Sequence, residues 1–267
     1  MTGTWDDIVV GSGPAGACVA RVLAESGRRV LLVERGRTVS EPPGSHLRNR
    51  PENRDDPDGW FAAVDDYLDL IDPEVPEAGL PAASTTSIVG GSGILWTNNC
   101  PRAVEGVDRP GVLDEDEWET AYNGAERLLG VRRDEFADSR RATAIRVALA
   151  APLEGQGREL EQLPLAGRRL SHDHIHYIAP ADVLASTDVT VEQMTGTAER
   201  IAIDGGQVVG VHVDDELVHA RHVVLTTGAV DAPLLLWRSG IEHPAIGRRL
   251  SFHPVLTTQV VLAEGST

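Results

Sequence analysis

The segment Gly11-Ser12-Gly13-Pro14-Ala15-Gly16 restricts this chain more than any other. Before it, Asp7 to Val10 reads as a short buried strand; after it, Pro14 to Glu25 reads as a helix stopped at Gly27. The inward positions expected on that helix are Ala17, Val19, Ala20, Val22, Leu23 and Ala24. Arg29 to Glu34 then reads as a second buried strand, apolar without alternation, as in a parallel sheet. A strand, a glycine turn, a helix and a strand in this register form the context a dinucleotide fingerprint requires. Gly11 serves the tight turn, Gly13 lets a pyrophosphate approach the backbone, and Gly16 lets the helix pack closely. Free N–H groups and the positive end of the helix dipole favour an anion, at about 0.3–1 kcal/mol for an exposed end. Pro14 and Ala15 complete the turn, which has no basic side chain of its own. Glu34 lies 23 residues beyond Gly11, where a carboxylate accepts from ribose hydroxyls and repels a 2′-phosphate. Arg35 follows it and counts among the expected binding residues.

The continuation separates flavin from nicotinamide. A plain NAD domain would go on alternating helices and strands. Here residues 36–87 are dense in proline and aspartate, which excludes long regular elements and suggests an excursion or lid. One short helix is expected within it, at Trp60 to Leu70. Gly90 to Asn99 forms a second glycine-rich turn. Helices are expected at Asp114 to Leu129, with Asp114 and Glu117 at capping-box spacing, and at Asp134 to Ala150. A strand is expected at 172–178. From Val189 short strand-like runs (TVEQM, AERIAI, QVVGVHV, ELVHA, HVVLT) suggest a β-meander laid over the sheet, with a hairpin at Gly205-Gly206. A helix at Ala232 to Arg238 and a strand at Val255 to Leu262 close the chain. The fold class expected is α/β: a Rossmann-like FAD-binding domain of parallel sheet plus meander.

Composition narrows the partners. The formal net charge is −17 and every one of the 24 basic residues is arginine, which argues against nucleic acid or anionic membrane as the main partner. No apolar run reaches a membrane span and no signal-type segment precedes the first strand, so a cytoplasmic location is expected. Cys18 and Cys100 form no CxxC pair and read as buried thiols. His172, His174 and His176 would share one strand face, but they read as a polar face rather than a metal array, and no metal is expected. His243 and His253 read as loop caps, and Trp96 as packing behind the glycine turn.

Three segments carry a resemblance: DIVVGSGPAGACVARVLAESGRRVLLVERG, IVGGSGILWTNNCPR and HVVLTTGAVDAPLLLWRSGI. They resemble the glucose–methanol–choline (GMC) oxidoreductases, and the second, with LEQLPLAGRRLSHDH, looks most like the pyranose oxidase and glycoside 3-oxidase branch. The resemblance implies an FAD enzyme that oxidises a CH–OH group of a sugar or glycoside. It implies that Gly90, Gly91, Ser92, Gly93, Trp96, Thr97 and Asn98 pass beside the flavin and its pyrophosphate. It also implies that the backbone of Ala198 meets the adenine and that Thr227, Gly228 and Ala229 form a small-residue turn at the cofactor.

Two departures from the family follow. Leu95 occupies the position where pyranose oxidases carry the histidine bonded to flavin, so FAD is expected to be non-covalent. The family's catalytic histidine pair, or histidine and asparagine, falls outside this chain, and the resemblance implies an FAD-binding domain over 1–253 with 254–267 as the first strand of a truncated substrate-binding domain. The flavin-binding half of an enzyme, completed by a second polypeptide or by missing sequence, is therefore expected. The alternatives are a nucleotide-binding non-catalytic subunit, an inactive truncated fragment, or an NAD dehydrogenase.

Overall fold

The computed structural model describes residues 3–56, 64–70, 84–155, 160–171, 174–248 and 250. In chain order the strands are β1 (Trp5–Val10), β2 (Val30–Glu34), β3 (Asp69–Leu70), β4 (Ser84–Thr85), β5 (Val131–Arg132) and β6 (Leu165–Ser171). They continue with β7 (His174–Tyr177), β8 (Glu192–Thr195), β9 (Ala198–Asp204), β10 (Gln207–Val213) and β11 (Glu216–Leu225). The helices are α1 (Pro14–Glu25), α2 (Pro51–Asp55), α3 (Glu115–Leu128), α4 (Arg140–Glu154), α5 (Pro180–Ala185) and α6 (Gly228–Arg238). Packing divides them into two compact units, one within 1–97 and 177–250, the other within 98–176. The expected strands at 254–267 and Val255 to Leu262, with His172 and His253, lie outside the described residues.

The first unit is built on one sheet in the order β8-β2-β1-β11-β10-β9. Strand β1 pairs parallel with both β2 and β11, and β2 pairs parallel with β8. Strands β9, β10 and β11 are antiparallel neighbours. The fold is thus α/β with a parallel Rossmann-like core. Two expectations change here. TVEQM is the parallel edge strand β8, not the start of a meander. ELVHA and HVVLT form a single ten-residue strand, β11. Its first half faces β10 and its second half faces β1, so β11 carries the antiparallel ladder into the parallel one.

Period-two alternation assigns the side chains to two faces. Val9, Val30 and Leu32 pack with Ala20 and Ala24 of α1. Ile8, Val10, Leu31 and Val33 pack with Val211 and Val213 of β10 and Leu235 of α6. The meander therefore covers a face of the parallel sheet, as expected. Each such residue, fully buried, contributes about 1.5–3 kcal/mol. Val22 does not point inward: it is 48% exposed, because a helical step of about 100° per residue carries it away from the stripe of Ala20 and Ala24.

A satellite core of Leu47, Ile88 and Ile94 anchors the proline-rich excursion, with Val39, Val64 and Tyr67 against it. His46 is fully buried there. Its Nδ1 accepts from the Arg48 N–H and its Nε2 lies 3.0 Å from the Trp96 carbonyl. The helix expected at Trp60 to Leu70 is not what the described part shows: Val64–Tyr67 is a single 3₁₀ turn, followed by β3. The adjacent Asp65 and Asp66 and nearby prolines give a helix too little length to persist.

In the second unit, Asp114 and Glu117 form the expected reciprocal capping box of α3. Helix α4 begins six residues later than Asp134, because Ser139 caps it by accepting from the Ala142 N–H at 3.2 Å. A hydrogen bond from Arg102 holds the Glu126 carboxyl below the usual carboxylate range. No described helix is long and apolar enough to cross a membrane.

Candidate functional site

Within the first unit, a cavity of about 560 Å³ lies at the carboxyl ends of β1, β2 and β11. The ends of parallel strands are where open α/β sheets bind ligands, and the size falls in the range of small-molecule sites.

The glycines at its base differ in what they permit. A Cβ on Gly16 would lie 1.9 Å from the Gly11 carbonyl oxygen, so this glycine sets how closely α1 approaches the end of β1. Gly11 has φ +102°, and a Cβ there would also strike the Thr226 carbonyl. A Cβ on Gly13 would meet nothing within 4 Å: it faces the cavity.

A second turn leans on the first. Gly91 approaches Gly13, since a Cβ on Gly91 would sit 3.4 Å from the Gly13 Cα. Ser12 joins the two turns. Its Oγ donates to Glu34 Oε2 at 2.7 Å and accepts from the Gly90 N–H at 2.8 Å. Glu34 Oε2 also accepts from the Ser12 N–H, and Oε1 accepts from the Gly36 N–H at 2.7 Å. The carboxylate orders the turn with three accepted bonds, two on Oε2 and one on Oε1, and keeps acceptor capacity on Oε1.

The third side is the start of α6. Its N-cap, Thr227, makes no capping bond, and the buried Thr227 Oγ1 has no partner. Helix α1 likewise has Gly13 as N-cap and no side-chain cap. Two helices of twelve and eleven residues thus open uncapped N-termini on the same space. Their unmet N–H groups and dipoles favour a negatively charged guest. Arg35 and Asp231 pair across the wall, Nη2 to Oδ2 at 2.8 Å.

Most of the expected residues meet here. Gly11, Gly13, Pro14 and Ala15 form the floor, Glu34 and Arg35 one wall, and Gly91 and Ser92 another. Ala198, Thr227, Gly228 and Ala229 complete it. Others do not reach the cavity. Gly16 and Gly90 support it from behind, and a Cβ on Gly93 would strike Pro14 at 2.6 Å. Trp96 is turned to packing, its Nε1 donating to the Ile178 carbonyl at 3.2 Å, and Thr97 is not on the wall. Asn98 belongs to the second unit, where its Nδ2 donates to the Ala166 carbonyl at 2.8 Å. Sequence reasoning missed Ser12, Thr226, Asp231 and the Ser84-Thr85-Thr86 stretch, all on the wall. Ser12 sits within the fingerprint itself, the one signal that would have found it.

Both thiols are free and unready. Burial pushes Cys18 up to about 11 and Cys100 upward as well. At about pH 7.5 the thiolate fraction of Cys18 is then roughly 100-fold below that of an ordinary cysteine. Greater intrinsic nucleophilicity returns part of this, leaving alkylation roughly 10-fold slow. Iodoacetamide labelling followed by mass spectrometry should show that rate rising about tenfold per pH unit until pH nears 11; fast labelling at neutral pH would contradict the burial.

Comparison with known proteins matches a GMC oxidoreductase family model at residues 177–255 and an NAD(P)-binding Rossmann-like model at 9–45. A C-glycoside 3-oxidase of Microbacterium trichothecenolyticum is 34% identical over 92% of this chain and 56% of its own length. A pyranose 2-oxidase of Tricholoma matsutake is 28% identical over 96% of this chain and 54% of its own. The chain spans about half the length of the curated relatives it matches. Among solved structures, pyridoxine 4-oxidase from Mesorbium loti aligns with TM-score 0.53 at 21% identity, over 89% of this chain and 52% of that one. A formate oxidase of Aspergillus oryzae, studied for modification of its FAD, aligns with TM-score 0.56 at 16% identity, over 89% and 48%. The likeness read from the three motif segments is borne out.

Proposed function

We propose that this chain, whose sequence matches the N-terminal half of GMC oxidoreductases, holds FAD in the cavity at the ends of β1, β2 and β11. It would serve an enzyme that oxidises a CH–OH group of a sugar or glycoside. The observation that carries the reading is the convergence of two uncapped helix N-termini, the open face of Gly13 and the unpartnered Thr227 hydroxyl on one space. Bound flavin supplies a hydride acceptor at N5 for the carbinol carbon.

The chain's own groups bind and orient. N–H groups at the starts of α1 and α6 receive the pyrophosphate, and Thr227 Oγ1 gains a partner on binding. Glu34 offers the remaining lone pair of Oε1 to a ribose hydroxyl, and its charge disfavours a 2′-phosphate. Ser12 keeps the Gly90–Gly91 turn against the first. The proposed binding set is the part of the motif reading that lines the cavity: Gly11, Gly13, Pro14, Ala15, Glu34, Arg35, Gly91, Ser92, Ala198, Thr227, Gly228 and Ala229, with Gly16, Gly90 and Gly93 as support and without Trp96, Thr97 and Asn98. Leu95 packs on the satellite core and offers no nucleophile, in keeping with non-covalent FAD. No histidine is among the described residues around the cavity. The groups that move the hydroxyl proton would come from a second polypeptide or from sequence outside this chain. A cytoplasmic setting, with Cys18 and Cys100 reduced, accords with two free, unpaired thiols.

The test is titration of the purified chain with FAD, followed by quenching of flavin fluorescence, and then denaturing precipitation. Saturable binding with all flavin released to the supernatant is expected. Flavin left on the pellet would overturn the non-covalent form, and absent binding would overturn the reading itself. Copurification with a partner chain, and bleaching of the flavin by a glycoside under anaerobic conditions, would distinguish an enzyme half from a non-catalytic subunit.

A further inference from the structure

We infer that Arg35 is a positioning residue of the cavity that acts by neutralising Asp231, so that the start of α6 can receive an anion. This rests on the FAD-binding reading above. Asp231 lies in the first turn of α6, where an acid favours the helix dipole. It also lines the cavity that the Gly228 and Ala229 backbone opens onto. Unpaired, its carboxylate would repel a pyrophosphate at the place the helix end attracts one.

Arg35 answers that charge. Its Nη2 lies 2.8 Å from Asp231 Oδ2 and its Nη1 lies 3.5 Å from Oδ1. Among the described residues, the other charges facing the cavity are Glu34 and Arg238. Glu34 is engaged by Ser12 and the Gly36 N–H, and Arg238 stands in the last turn of α6, away from its start. The cation at the end of β2 is therefore the one placed to cancel Asp231. The Arg35 side chain is 38% exposed and that of Asp231 is 23% exposed, so the pair adds little to stability. Its effect is on the sign of the wall.

The experiment is a double-mutant cycle read by FAD titration, with circular dichroism confirming the fold of each variant. Arg35→Ala is expected to weaken binding about tenfold at low salt, Asp231→Ala to change it less than about threefold, and the double variant to return to within about threefold of wild type. The Arg35→Ala deficit should shrink between about 50 and 500 mM salt, because screening acts on half-exposed charges. Arg35→Gln and Asp231→Asn repeat the cycle with less change in shape. If the single losses multiply in the double variant, or if the Arg35→Ala loss is indifferent to salt, the inference is overturned and the cofactor reading stands. If wild type binds no FAD, both fall.

Discussion

Gly16→Ala is expected to lower the melting temperature of the first unit by about 6–12 °C or to prevent its cooperative folding. The added methyl would stand 1.9 Å from the Gly11 carbonyl oxygen and 2.9 Å from Thr226 Oγ1. Neither neighbour can retreat. The Gly11–Ser12 peptide, which carries that carbonyl, is fixed by its Ser12 N–H bond to Glu34 Oε2 at 2.9 Å. Thr226 Oγ1 donates to the Val10 carbonyl at 2.7 Å. The methyl can be accommodated only by moving α1 off the sheet, which loosens Ala20 and Ala24 against Val9 and Leu32. Overpacking typically costs 1–3 kcal/mol; a contact as short as 1.9 Å takes the upper end, about 3 kcal/mol, which at about 2–4 °C per kcal/mol for a unit of this size gives that temperature range. Thermal unfolding followed by circular dichroism measures it; an unchanged midpoint would show that α1 does not pack as described.

Three residues earlier the opposite result is expected. Gly13→Val should leave the ligand-free midpoint within about 4 °C, since the cost of a poor N-cap is about 1 kcal/mol. The backbone of Gly13 is extended, with φ −61° and ψ −178°, which a β-branched residue adopts. The new side chain would project into the open cavity rather than into protein. FAD affinity should fall at least about 100-fold, because the pyrophosphate loses close approach to the backbone. Isothermal titration beside thermal unfolding separates the two quantities. A variant that binds FAD normally would remove the pyrophosphate from this turn, and one as unstable as Gly16→Ala would mean Gly13 is a packing residue.

The βαβ unit was legible because every level of the sequence agrees there. The bounds of α1 match the expected Pro14 to Glu25, and β2 differs by one residue. Strand β8 was harder. EQM lacks the apolar run of a central strand because it lies at the sheet edge, so composition disguised its parallel pairing. Buried Asp7 was not legible as an interior charge. Arg28 resolves it by donating from Nη2 to Oδ1 at 2.7 Å, across 21 residues. The same holds for the cavity wall. Glycines announce backbone approach through spacing, and Gly11, Gly13 and Gly16 stand at the turn between β1 and α1. Ser12 is marked only by standing inside the fingerprint, whereas Thr226 and Asp231 act with partners about 200 positions away, of which spacing carries no trace.

Strand β11 bears on how the chain comes into being during synthesis. The β9–β10–β11 hairpins close over a few residues each and can form as soon as they emerge. Strand β1 must wait for the same β11: Trp5 pairs with Ala220 and Val10 with Leu225, more than 200 positions along. At ribosomal rates of about 5–20 residues per second, that interval is roughly 10–40 s. Throughout it Ile8, Val10, Leu31 and Val33 lack the β10 and α6 side chains that later cover them. Strand β1 is thus completed only when β11 arrives, and until then the nascent chain carries an uncovered apolar face.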